Sequence, residues 1–139
     1  MNAPLYTTEI LRLAASLSEP RELEREQGSA EVRSPTCGSR ISVSVALNEN
    51  GRVERLTQRV HACAFGQASA ASMEQGAPGC DIAEVTTALL QLNDWLEGAE
   101  QAPDWPNIQA LAPARSRKSR HGAVVLPFRA LLAAIESAQ

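Results

Sequence analysis

Three cysteines, Cys37, Cys63 and Cys80, and two histidines, His61 and His121, are the residues of this sequence best suited to metal or sulfur chemistry. A thiolate is both a soft metal ligand and a sulfur acceptor, and imidazole is the common nitrogen ligand. Cys37 precedes Gly38, which permits a tight turn that exposes the thiol. Cys63 stands where an extended stretch hands over to a helical one. Unpaired N–H groups at a helix N-terminus favour an anion such as a thiolate. The wide separation of Cys37 and Cys63 matches no strong zinc pattern such as paired C-x-x-C. Cys80 sits just before a helix start, where packing is the expected role and a spare thiol the alternative. His61 lies two residues before Cys63, on the same strand face, and a Cys–His nucleophile pair there would need a third group to orient it.

The elements that must position these residues are legible in the hydropathy pattern. Residues 6–18 carry Ile10, Leu11, Leu13, Ala14 and Leu17 at helical spacing, with Thr7 or Thr8 as the cap and Glu19-Pro20 as the stop. Residues 21–29 read as a charged loop. A short strand is expected over residues 30–34. Ile41, Val43, Val45 and Leu47 alternate with Ser42, Ser44 and Ala46, which marks a half-buried strand. Asn48-Glu49-Asn50-Gly51 is a hairpin turn, and a second strand follows over residues 52–62. Val53 and Leu56 have opposite parity in that strand, which predicts a bulge. Residues 67–73 form an Ala/Ser-rich helix that another element can approach closely. Asp81 to Glu84 reads as a capping box ahead of Ile82, Val85, Leu89, Leu92 and Leu96, with Gly98 as the stop. Residues 102–114 are a Pro-rich loop with one short turn at 107–111, and a last helix is expected over 124–137 with Pro127 in its first turn. The expected fold is α+β: a small three-stranded antiparallel sheet with helices packed mainly on one face, as one domain over residues 1–139.

The hairpin carries a geometric expectation for the thiols. If Asn50-Gly51 are the two turn residues, Glu49 faces Arg52 and Cys37 falls opposite Ala64, one step from Cys63. Directly opposed residues in a sheet sit roughly 5 Å apart. Two sulfurs at the same end of the hairpin could then share one metal ion or one small cluster.

Composition excludes several classes. The net charge of −3 and pI near 5.4 argue against a nucleic-acid binder. No apolar run reaches membrane-spanning length, and no basic-then-apolar leader is visible at the N-terminus. An odd cysteine count without such a leader does not read as a disulfide framework, so a reducing, cytoplasmic setting is expected. No Gly-x-Ser-x-Gly, P-loop or His-Glu-x-x-His motif appears, and no enzymatic activity is expected. Arg115, Arg117, Lys118 and Arg120 read as a solvated loop, with an acidic partner or a phosphate as the functional alternative.

The same residues carry a family likeness. Ser34-Pro35-Thr36-Cys37-Gly38 resembles the first ligand loop of the iron–sulfur cluster scaffold proteins of the IscU/NifU-like family. His61-Ala62-Cys63, followed by Ala64 to Met73, resembles the second, a cysteine ahead of an Ala/Ser-rich helix. Tyr6, Ile10, Pro20 and Arg21 resemble the family's first helix and the turn after it, and Arg120 to Leu131 its closing helix. The likeness covers nearly the whole chain in the right order. It implies an iron–sulfur cluster assembly scaffold or carrier. Its partners would be a cysteine desulfurase and cluster-accepting proteins, and a homodimer is an open alternative. The cargo would be iron or a [2Fe–2S] cluster, with zinc as another occupant of the same place. Carried over by position, Cys37 and Cys63 are the first two ligands, for a metal as for a cluster.

The sequence also departs from the family pattern. Ser39 stands in place of the family's aspartate, Ala123 in place of its third cysteine, and Gly122 where many members have histidine. A [2Fe–2S] cluster takes four ligands. His121, beside the lost cysteine, is a candidate imidazole ligand, with a solvated loop histidine as the alternative reading. The losses leave room for other functions. One is a SufE-like persulfide acceptor or adaptor that works through a single cysteine. The other is a metal-free or zinc-bound paralogue that only binds partners.

Overall fold

The computed structural model describes residues 6–35 and 38–139. Strands β1 (Gly28–Arg33), β2 (Arg40–Leu47) and β3 (Val53–His61) form an antiparallel sheet in that order. The alternation read in residues 41–47 gives the sheet its inner face: Ile41, Val43 and Val45 are buried, and Leu56, Gln58 and Val60 face them across the register. Helices α1 (Thr8–Ala15), α2 (Ala64–Gly76), α3 (Ile82–Leu96) and α4 (Lys118–Ser137) and a 3-10 helix (Ile108–Ser116) complete the chain. Helix α4 packs against the sheet, and α2 and α3 pack against α4. The fold class is therefore the expected one. Among the described residues no helix is long and apolar enough to cross a membrane.

The hairpin differs from expectation at its tip and agrees with it at its base. Asn48, not Glu49, faces Arg52: the Asn48 N–H donates to the Arg52 carbonyl at 2.8 Å. The turn is Glu49-Asn50-Gly51, because the Asn48 side chain accepts from the N–H groups of Asn50 (2.9 Å) and Arg52 (3.0 Å). Gly51 takes the left-handed backbone at φ 76°, which only glycine adopts without strain. The predicted bulge then falls between the pairs Leu47–Val53 and Ala46–Arg55, leaving Glu54 as the extra residue. Its shift cancels the shift of the turn. From Ala46–Arg55 down to Arg40–His61 the register is the one a plain Asn-Gly hairpin would have given.

Helix boundaries moved more. Thr7 caps α1, accepting from Ile10 N at 3.1 Å, but α1 stops at Ala15 because the Ser16 hydroxyl takes the Leu13 carbonyl at 2.6 Å. The capping box at Asp81 and Glu84 is formed. Helix α2 starts at Ala64, three residues earlier than predicted.

The largest correction concerns α4, which begins at Lys118 and so takes in residues predicted as loop. Pro127 lies well inside it. Proline has no N–H to give to the Ala123 carbonyl one turn back, so the ladder is interrupted there. The buried Ser69 hydroxyl of α2 donates to the next carbonyl along, that of Val124, and so ties the two helices together beside the gap. A Ser69→Ala variant should lose about 0.5–1.5 kcal/mol of stability in urea unfolding, the net worth of one intramolecular hydrogen bond. An unchanged midpoint would show that this bond adds nothing to the α2–α4 contact.

Candidate thiol site at the strand-to-helix junction

Cys63 is the N-cap residue of α2. Strand β3 ends at His61, and the chain turns through Ala62 and Cys63 into the helix. Cys63 keeps an extended backbone, its carbonyl accepts from Gln67 N at 2.9 Å, and the Gln67 side chain donates to the Ala62 carbonyl at 3.0 Å. The thiol makes no cap hydrogen bond and is partly exposed. The expected handover from strand to helix at Cys63 is therefore present.

Gly66, one turn into α2, brings the closing helix against this junction. A side chain there would meet the Ala62 methyl at 2.6 Å and, at 3.5–3.6 Å, the carbonyl and methyl of Ala123. Ala123, where the family resemblance would put a third cysteine, is a buried methyl beside Gly66. On the other side comes the link between β1 and β2. Ser34 N donates to the Ser39 carbonyl at 2.8 Å, and Gly38, at φ 72°, donates to the Ser34 carbonyl at 3.2 Å. Ser34 and Ser39 are both buried, and Ser34 also approaches Gly122 of α4. Cys37 lies outside the described residues.

These segments enclose an open cleft of about 390 Å³ lined by Gly38, Ser39, His61, Cys63, Gln67 and Arg120, with Val60 and Ala62 behind them. Arg120 was missed as a site residue because residues 115–120 read as solvated loop. Starting α4 at Lys118 instead sets Arg120 on the helix, one turn ahead of Ala123. The basic run is in fact divided: Arg115 turns away, donating to the Trp95 carbonyl at 2.9 Å and the Ala99 carbonyl at 2.7 Å.

His121 is neither a loop residue nor solvated. It lies on α4 with its side chain 14% exposed. Its Nε2 is 3.0 Å from the Ala114 carbonyl and 3.1 Å from that of Arg115, and its Nδ1 is 3.6 Å from a Glu97 carboxylate oxygen. The ring ties α4 to the segments before it and does not line the cleft. His61 does. Cys80 is remote, past the far end of α2, whose 13 residues span about 20 Å. Its Sγ is 3.3 Å from the Gly76 carbonyl; burial pushes its thiol pKa up, and the nearby Glu84 and Asp81 carboxylates add to the rise. Among the described residues no three His, Cys, Asp or Glu side chains converge on one metal position.

Fold and site together define an α+β domain with a thiol displayed at a strand-to-helix junction. Residues 5–104 match the family described as the NifU-like N terminal domain, and the chain belongs to that family. The structure is similar to that of the N-terminal part of a nitrogen-fixing NifU-like protein from Brucella abortus, at 28% identity and a TM-score of 0.88, over 96% of this chain and 94% of that one. It also shares the fold of a putative iron–sulfur cluster assembly scaffold protein for the SUF system from Fervidobacterium islandicum AW-1. There the identity is 18% and the TM-score 0.82, over 94% of this chain and 96% of that one. No curated protein matches the sequence.

Proposed function

We propose that this protein is an iron–sulfur cluster assembly scaffold or carrier. In this reading Cys37 and Cys63 hold iron or a [2Fe–2S] cluster as cargo, and the protein catalyses no reaction of its own. Family membership supports the role, as does the likeness to a structure named as a putative scaffold of the SUF system. The observation that carries the assignment of residues is the shared cleft: Gly38, which follows Cys37 in sequence, lines it together with Cys63. Cluster iron needs four ligands in all, so the remaining positions fall to a partner protein, a second copy or a small thiol. His61 is a nitrogen donor already at the cleft. His121 is left out of the donor set, because both of its ring nitrogens have protein partners. Zinc would face the same shortage of ligands. A cysteine desulfurase as sulfur source and cluster-accepting proteins as recipients complete the role, in a cytoplasm that keeps the thiols reduced.

Anaerobic reconstitution with ferrous iron and sulfide tests this. Thiolate-to-iron charge-transfer absorption is expected in the unmodified protein and in Cys80→Ala, and its loss in Cys37→Ala and in Cys63→Ala. Colourless unmodified protein, or equal colour in all the variants, would overturn the assignment.

One observation favours a second reading. The positions of the aspartate and the third cysteine are taken by Ser39 and Ala123, both buried, and one thiol remains among the described residues of the cleft. A single exposed thiol at a helix N-terminus is sufficient for a persulfide acceptor. The Cys63 thiolate would attack the outer sulfur of a desulfurase persulfide, take that sulfur, and release the desulfurase thiolate. Mass spectrometry after incubation with a desulfurase and cysteine separates the two: one added sulfur on Cys63 without reconstitutable colour favours the acceptor.

A further inference from the structure

The outer face of the sheet, opposite to the core, carries a charge pattern that folding alone does not account for. The register places Arg33, Arg40 and His61 directly across from one another in one row over all three strands. Glu31, Ser42 and Arg59 form the next row. The three arginines of these two rows, and His61 with them, are exposed. Like charges set directly opposite in a sheet destabilise it. Glu31 is the one carboxylate in the two rows, and it is engaged by Arg33 at 3.1 Å and by Ser42 at 3.1 Å. Among the described residues Arg40, Arg59 and Arg120 make no direct salt bridge; Arg40 acts on Glu31 through space, and Arg59 shares an open groove with Glu22 and Glu26. The patch runs without a break into the thiol cleft, since His61 belongs to both and Arg120 lines the cleft's other wall. This concentration of positive charge sits on a chain whose net charge is −3.

We infer that Arg40, Arg59 and Arg120, with Arg33 and His61, form the docking surface for an acidic face of a partner protein, and that the surface steers the partner's own reactive group to Cys63. A protein partner fits better than a nucleic acid. The remainder of the chain is acidic and would repel a long polyanion, whereas a compact acidic face meets only the patch. The inference rests on the proposed function only in taking Cys63 as the point of delivery. It holds whether cluster iron or persulfide sulfur is delivered.

The test is a thiol–disulfide exchange rate on the protein with Cys37 and Cys80 replaced by serine. Two synthetic peptides, one glutamate-rich and one neutral, each carry a cysteine activated as a mixed disulfide with thionitrobenzoate. The Cys63 thiolate attacks the peptide sulfur and releases coloured thionitrobenzoate. The glutamate-rich peptide should react about tenfold faster than the neutral one at low ionic strength, and added salt should erase the advantage. The double variant Arg40→Glu/Arg59→Glu should lose the advantage while reacting at an unchanged rate with the neutral peptide, and Arg40→Lys/Arg59→Lys should keep most of it. Equal rates for the two peptides on the parent protein would overturn the docking surface. So would an oligonucleotide that abolishes the advantage at concentrations where a glutamate-rich competitor does not, which would assign the patch to nucleic acid. Reconstituted colour plays no part in this readout, so failure of the cluster assignment and failure of the docking surface are told apart.

Discussion

Restoring the two altered positions, with Ala123→Cys and Ser39→Asp together, should lengthen the lifetime of a reconstituted cluster by about tenfold or more. Outer-shell changes alone typically move metal affinity by about 10–100-fold, and a new thiolate is a direct ligand. Ala123 lies one turn after Arg120, which lines the cleft. Ala123 and Ala62 both close on Gly66, and Ala62 adjoins Cys63. Ser39 already lines the cleft. The change has a cost, since Ala123 is buried and a larger group there presses on the α2–α4 seam. Overpacking of this kind costs about 1–3 kcal/mol. Decay of the charge-transfer band after addition of a chelator measures the lifetime, with Ala123→Ser/Ser39→Asp as the control that lacks the sulfur. If the restored variant decays no more slowly than the control, Ala123 does not occupy a ligand position.

Trp95→Ala should produce the largest loss of stability, about 3–5 kcal/mol in urea unfolding, as expected for removal of a buried tryptophan. The ring is 1% exposed near the end of α3. The Arg115 guanidinium lies over it at 5.1 Å while donating to the carbonyls of Trp95 and Ala99. Truncation thus opens a cavity and also frees the arginine that closes the C-terminal end of α3. His121 is held by the carbonyls of Ala114 and Arg115 in the same corner. The start of α4, and with it Arg120 at the cleft, should loosen together with the ring. A loss below about 1 kcal/mol would mean that the site collapses around the gap.

Local patterns with one physical cause were legible from the residues. The alternation of Ile41, Val43 and Val45, the Thr7 cap, the capping box at Asp81 and the bulge signalled by Val53 and Leu56 each depend on neighbours in sequence, and each is present. What escaped depended on partners far along the chain. Pro127 appeared to require a helix start, because a proline further inside leaves a carbonyl without its donor. Packing of α4 against the sheet and against α2 and α3 outweighs that local cost, and it comes from residues far along the chain. That single error moved Arg120 and His121 out of their true setting. It hid Arg120 from the site and made His121 look available. The basic rows on the sheet were equally out of reach, since Arg33, Arg40, Arg59 and His61 meet only through the strand register.

The paired irregularities of the β2–β3 hairpin constrain how this protein can change. The turn displaces one strand by a step and the extra residue at Glu54 restores it, so neither can be gained or lost alone. A single deletion at the tip that propagated along the strands would exchange inward and outward residues throughout β3, setting Arg59 and His61 against the helices and Gln58 in water. Length variation at this tip, in nature or in the laboratory, is therefore viable only when it comes in compensating pairs.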